Sequence, residues 1–342
     1  MFTQKLVVEA QILRLNVTEP DQVLDKLAAA LGTTSREGYL LVPKDKGKGY
    51  LKTLDLGNSL GMMIRDCEFN AMLQINRNFN HHPYDMILLS FNNIFHSSSA
   101  GTSETCVQNL PTVQIGNLKL NLEMFYPSHT KFSSIVLTIY ASDLAVLLGN
   151  HVENSILKSI LDNELPVLFE EIITPNIHKI ALEITGSNIP PTLQTLYYRL
   201  KAQELICLVF AELLKRERMP MQAVNEIDAE KVYMVRALVL TNLSTPPVLQ
   251  DLSREAGMSR SKLNRLFKQI FGESIFNYYQ SFRMKEAARL LKERKLSVSQ
   301  VGYALGFSNL GHFTRVFEDH IGMKPKKYSV QPRSGSNQTE IG

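Results

Sequence analysis

The chain has 342 residues but no tryptophan and only three cysteines, Cys67, Cys106 and Cys207. Thiols that are odd in number and widely spaced suit reduced cysteines better than a disulfide framework, and all three are expected as packing residues. Long hydrophobic runs are also missing. No stretch approaches the roughly 18 apolar residues of a membrane span. The opening MFTQKLVVEAQ lacks the charged-then-apolar layout of a signal peptide. These absences predict a soluble protein with a cytoplasmic address and no membrane partner.

What is present points to two domains, because 342 residues exceed what one compact core usually takes. The charge is unevenly divided. Residues 228 to 333 hold 18 Lys and Arg against 9 Asp and Glu, whereas residues 1 to 227 hold 19 against 23. A basic module of net +9 fused to a mildly acidic one of net −4 is the footprint of a phosphate-binding domain attached to something else.

In the acidic part, NVTEPDQVLDKLAAALG predicts a short helix capped by Thr18 and ended by Gly32, with Pro20 and Asp21 in its first turn. From about Tyr50, short segments rich in β-branched and large apolar residues alternate with turn residues: YLKTLDL, GMMIRDCEF, AMLQINRNF, DMILLSF, TVQIGNLKLNLEMF and SSIVLTIYA. Their spacing predicts an antiparallel barrel or sandwich. The chain then turns helical. Over about residues 191–217, Leu193, Leu196, Leu200, Cys207, Phe210 and Leu214 form one apolar stripe broken at Gln203. Tyr197, Leu205, Leu208, Val209 and Leu213 lie to one side. One stripe can pack on its own domain and the other on a partner helix, although burial on both sides fits the pattern equally. RERMPMQAVNEID is polar and aperiodic and reads as a linker, and RSGSNQTEIG as a disordered tail.

The basic part says one thing twice. VLQDLSREAG and SRSKLNRLFKQIFG predict two short helices joined at Gly257, the second starting at a capping Ser259 and burying Leu263, Leu266, Phe267 and Ile270. VSQVGYALG and NLGHFTRVFEDHIG repeat the arrangement around Gly306. Gly257 and Gly306 are 49 residues apart; Arg265 and Arg315, Phe267 and Phe317, and Gly272 and Gly322 are each 50 apart. This is a duplicated helix-turn-helix. Between the copies, SIFNYYQSFRMKEAARLLKE contains neither Gly nor Pro. Its helix would span about 30 Å, close to the roughly 34 Å between successive major-groove turns on one face of B-DNA.

Residues 228–330 resemble the DNA-binding domain of the AraC/XylS family of bacterial transcription regulators. The family's signature region is matched by RMKEAARLLKERKLSVSQVGYALGFSNLGHFTRVFEDHIGMKPKKY, and PPVLQDLSREAGMSRSKLNRLFKQIFGESIFNYYQSFRM is closest to the branch of the pyochelin-siderophore regulators. The resemblance implies an α+β protein with a cupin-like β-barrel sensor, a dimerising helix and an all-α double helix-turn-helix domain. The corresponding divisions are a sensing domain at 1–188, a dimerisation helix at 189–218, a linker at 219–227, the DNA-binding domain at 228–333 and a tail at 334–342. Double-stranded DNA, a small-molecule effector such as a siderophore, and a second copy through residues 191–217 are the implied partners, with RNA polymerase a further partner of an activator. No cofactor is called for.

By the same resemblance Ser261, Asn264 and Arg265 face bases in the first unit, where an arginine fork suits guanine and an asparagine amide suits adenine. Arg260, Lys262 and Lys268 are assigned to phosphate. The corresponding face of the second unit is Leu310, Gly311, Thr314 and Arg315, with Ser308, Asn309, Lys324, Lys326 and Lys327 as phosphate candidates. Leu310 and Gly311 depart from the polar face common in the family, which predicts weaker readout by the second helix.

Two other functions compete with this reading. His81 and His82 in NHHPYD, with His96 and His129, raise the alternative of a cupin-type metalloenzyme domain fused to a DNA-binding domain. Adjacent histidines on a strand point to opposite faces, and Pro83 favours a loop, so turn histidines and no metal site are expected. A repair protein accepting an alkyl group on cysteine would need a Pro-Cys-His-Arg motif, which this sequence lacks.

Overall fold

The computed structural model describes residues 12–17, 22–77, 85–94, 111–119, 124–149, 154–162, 164–216, 223–293 and 296–330. The chain divides into two compact units, the first ending at Ala229 and the second beginning at Glu230. The first opens with β1 (Ile12–Val17), α1 (Val23–Ala30), β2 (Tyr39–Leu41), β3 (Gly47–Asp55), β4 (Gly61–Phe69), β5 (Met72–Arg77), β6 (Met86–Asn92), β7 (Thr112–Asn117), β8 (Met124–Tyr126) and β9 (Lys131–Tyr140). It continues through α2 (Ala141–Leu148), α3 (Ser155–Leu161), β10 (Leu168–Ile172), α4 (Pro175–Gly186) and α5 (Pro191–Leu213).

Seven of the strands form an antiparallel sheet in the order β10-β7-β6-β9-β4-β3-β2. Alternation decides which face is core. Leu89 stands between Ile115 and Leu137, and Phe91 between Val113 and Ile135; all are buried in one cluster with residues of α2 to α5. The opposite face is divided. One end, around Leu51, Cys67 and Phe69, shares a second core with α1, β1 and β5. The other carries polar side chains, with Arg65 Nε donating to Ser134 Oγ at 2.8 Å and Gln114 donating to Glu170 Oε2 at 3.1 Å.

The architecture corrects several expectations. β1, β5 and β8 form a separate three-stranded sheet in which β1 runs parallel to β5. Among the described residues there are thus two open sheets and no closed barrel. α1 begins at Val23 with Gln22 in the N-cap position, beyond Thr18; Thr18, Pro20 and Asp21 lie outside the described residues. Cys67 is buried as expected, but Cys207 is exposed, so only one of these two thiols is a packing residue; Cys106 lies outside the described residues. Val224, in the segment expected to be a linker, is fully buried and donates its N–H to the Pro166 carbonyl at 3.0 Å.

α5 buries Ala202, Leu205, Ile206, Val209, Phe210 and Leu213 against the sheet unit. Its other side keeps Leu193, Leu196, Leu200 and Leu214 at 52%, 53%, 57% and 44% exposure, with Cys207 among them. No helix among the described residues is long and apolar enough to cross a membrane.

The second unit is all-helical: α6 (Glu226–Thr241), which straddles the division, then α7 (Leu249–Glu255), α8 (Arg260–Phe271), α9 (Ile275–Glu293), α10 (Val298–Ala304), α11 (Leu310–Ile321) and α12 (Pro325–Val330). Val232, Val235 and Val239 of α6 are buried at helical spacing, and so is Leu243 in the loop beyond it. α9 covers 19 residues, or about 28 Å of helix, and packs against α8, α10, α11 and α12.

Candidate nucleic-acid interface

The first helix-turn-helix is α7, the turn at Gly257 and α8. Gly257 has φ +59°, and the next residue, Met258, returns its N–H to the Ser253 carbonyl at 3.0 Å, closing α7. Ser259 Oγ accepts from the Lys262 N–H at 3.2 Å and starts α8; Gly272, left-handed at φ +78°, ends it. Leu263, Leu266, Phe267 and Ile270 are buried, with the Phe267 ring 4.6 Å from Phe271 and 5.3 Å from Tyr278. Packing on that side turns the other side outward. Arg260, Ser261 and Arg265 are exposed, and Lys262, Asn264 and Lys268 half-buried. α8 therefore carries four cations and no carboxylate.

The second helix-turn-helix is built on the same plan. Ser297 and Gln300 form a reciprocal capping box at the start of α10. Gly306 makes the turn at φ +77°, Asn309 caps α11, and Gly322 ends it at φ +76°. Phe307, Phe313 and Phe317 are buried in a row of mutually tilted rings, with centroids 5.2 and 5.8 Å apart. The outward face differs from that of α8. Leu310 is half-buried over Gly302, where a Cβ would lie 2.8 Å from Leu310 Cδ2. Thr314 Oγ1 donates to the Leu310 carbonyl at 2.9 Å. Asn309 Oδ1 is occupied by the N–H groups of Gly311 and His312 at 2.8 and 3.1 Å. The exposed residues on this helix include Gly311, His312, Arg315, Glu318 and Asp319. Ser308, Lys324, Lys326 and Lys327 are exposed as well, the last two on α12.

Residue spacing brings Ser261, Asn264, Arg265 and Lys268 onto one face of α8, and Gly311, Thr314 and Arg315 onto the matching face of α11. An exposed guanidinium offers a planar fork of donors, and the surrounding lysines add positive potential that draws phosphate. Sequence reasoning missed the capping role of Asn309, although its place before the first helical residue signalled it. It also missed Tyr279 and Arg283 on α9, both buried; nothing in helical periodicity identifies a buried arginine's partner.

His81, His82 and His96 lie outside the described residues. His129 is exposed in a turn at φ +56°. Among the described residues no group of three or more His, Cys, Asp or Glu side chains could hold a metal.

Two units of identical plan, each presenting an exposed helix face and joined by one continuous helix, define a double helix-turn-helix module. The helix-turn-helix domain family matches residues 252–331. The regulator ArgR of Pseudomonas aeruginosa is 27% identical over 137 residues, covering 40% of this chain and 41% of that protein. The regulatory protein PchR of the same organism is 34% identical over 116 residues, 33% of this chain and 38% of that one. Among solved structures, an AraC-type transcriptional regulator from Chromobacterium violaceum is 30% identical, covering 32% of this chain and 96% of that chain with a TM-score of 0.30. Through this C-terminal domain the chain belongs to the AraC/XylS family. It spans less than half the length of either of these two curated regulators.

Proposed function

We propose that the protein is a sequence-specific DNA-binding transcriptional regulator, not an enzyme, that places α8 and α11 in successive major grooves of one duplex. The observation carrying this reading is the cationic, carboxylate-free outward face of α8 on a capped scaffold that recurs 50 residues later. The names of the matched relatives, regulators all, support it. Ser261, Asn264 and Arg265 on α8, and Leu310, Gly311, Thr314 and Arg315 on α11, would face bases. Arg260, Lys262, Lys268, Ser308, Asn309, Lys324, Lys326 and Lys327 would hold the sugar-phosphate backbone. Footprinting of the full chain on duplexes selected from a random library should protect two major-groove segments one helical turn apart. A single protected segment would refute the two-groove reading.

The sheet unit would act as the effector sensor, a role that the family resemblance gives to a cupin-like domain, and residues 1–188 would form it. Coupling requires the effector to bind one arrangement of the regulator more tightly than another. Operator affinity that no candidate small molecule changes, siderophores included, would argue against this part. Recruitment of RNA polymerase would follow in an activator.

Residues 189–218 would join two copies. The exposed leucines of α5 support this, and so does their order. Positions 193, 196 and 200, all leucine, mirror 214, 211 and 207, which are leucine, alanine and cysteine, about a point between Gln203 and Glu204, so two antiparallel copies of the helix would bring these positions together across a two-fold axis. Replacement of Leu196 and Leu200 by Glu should turn a dimer into a monomer in sedimentation; a wild type that sediments as a monomer would defeat the assignment.

A further inference from the structure

The two helix-turn-helix units are joined by more than the rod of α9. Tyr279 and Arg283 stand one turn apart near the middle of that helix; one holds a carbonyl in the loop that precedes the first unit, and the other a carbonyl at the turn of the second. Tyr279 Oη donates to the Leu243 carbonyl at 2.9 Å, in the loop that leads from α6 into the first unit. Arg283 donates Nε and a terminal nitrogen together to the Leu305 carbonyl, the Nε bond being 2.8 Å, at the turn of the second unit. Its guanidinium lies 3.7 Å from the centroid of Phe307. The loop and the turn also touch each other. A Cβ on Gly306 would stand 1.9 Å from the Ser244 carbonyl oxygen, so only glycine lets the two backbones come this close. Asn242 Oδ1 accepts from both the N–H and the hydroxyl of Ser244, at 2.9 and 2.7 Å, and holds the loop in shape.

Space filling alone does not account for these groups. Arg283 is 4% exposed, and burial lowers the guanidinium's affinity for its proton. A buried charge is weak evidence for stability, since an apolar side chain of similar volume often serves as well. A rigid fork on one carbonyl supplies direction instead: it fixes the rotation of the 305–307 turn about α9. With loop 242–245 held by Tyr279 and pressed against Gly306, the second unit has one seating on the first.

We propose that Tyr279, Arg283 and Gly306 form a latch that sets the distance and rotational phase between the two recognition helices. The base-pair spacing that the protein accepts is then determined by this latch. All three are positioning residues. The inference rests on the two-groove reading above.

The test uses the full chain and duplexes of about 30 base pairs, near three turns of B-DNA, selected by the wild type from a random library. One or two base pairs are then inserted between the two contacted segments. Each inserted pair rotates one segment by about 34° relative to the other, and the wild type should lose about tenfold or more in affinity at two inserted pairs. Tyr279→Phe combined with Arg283→Met should shrink that ratio to within about threefold while retaining affinity for a duplex holding the first segment alone. Arg283→Lys, which keeps the charge but not the fork, should fall between. Circular dichroism checks folding, and Tyr279→Phe alone remains as the mildest variant. Folded variants that keep the wild-type ratio would overturn the latch and leave the two-groove reading intact. A wild type indifferent to inserted pairs would overturn both.

Discussion

α8 and α11 are each 12 residues long, each capped by a side-chain oxygen and ended by a left-handed glycine, and each anchored by buried aromatics. Their outward faces are nevertheless opposed in charge. α8 carries Arg260, Lys262, Arg265 and Lys268 with no acid, whereas α11 carries Arg315 against Glu318 and Asp319. Duplication has preserved what packs and released what meets solvent. The scaffold positions recur because aromatic packing and caps tolerate few residue types, while an exposed helix face is free to be cationic in one copy and mixed in the other. Equal placement therefore does not imply equal contribution to binding.

The largest difference between the copies is expected at the turn glycines. Gly306→Ala must move the Ser244 backbone as well as strain a φ of +77°, and should cost about 4 kcal/mol or more of stability. Gly257→Ala, at φ +59°, meets only the flexible end of Lys231 at 3.7 Å, so it should cost about 1 to 2 kcal/mol from the left-handed conformation alone. Chemical denaturation of both variants measures the gap. Equal losses would mean that the close approach of loop and turn is not a feature of the second unit.

That asymmetry could not be seen in the sequence, where both positions are simply glycine after a short helix. Local features were legible. GMMIRDCEF coincides with β4, and the caps at Ser259, Gly272 and Gly322 stand where the residue types indicated. Elements whose identity depends on distant partners were missed. β1 exists through parallel pairing with β5, β2 has three residues, and β10 sits amid helical sequence as an edge beside β7. The barrel expectation failed for the same reason, since alternation reveals strands but not whether a sheet closes. In the candidate interface, the periodicity of α8 separated buried from exposed residues, but side chains committed locally, such as Leu310 over Gly302 and Asn309 at its cap, required the fold.

The next contrast concerns the two arginines separated by 50 residues. Arg265→Ala should cost about 1 to 3 kcal/mol of DNA affinity and relax base preference at the position it reads. Arg315→Ala should cost less, under about tenfold, because its own helix offers fewer polar groups to hold a base in register. Binding of each variant to the selected duplex and to single-base changes in it distinguishes them. An unchanged preference after loss of Arg265 would remove α8 as the main reader, and a larger loss at Arg315 would reverse the order proposed for the two helices.

The smallest effects should come from charges that never specify a base, and they test whether the acidic side of α11 opposes binding. Lys326→Ala removes an exposed cation from α12; it should weaken all sequences alike and reduce the slope of log affinity against log salt by about one. Glu318→Gln should act in the opposite direction, raising affinity without altering preference, and its gain should fade as salt rises because screening shortens the reach of an exposed charge. If Glu318→Gln leaves affinity unchanged at low salt, Glu318 stands clear of the phosphates. If it changes sequence preference, that face of α11 meets bases, and the division between a reading helix and a supporting one would have to be redrawn.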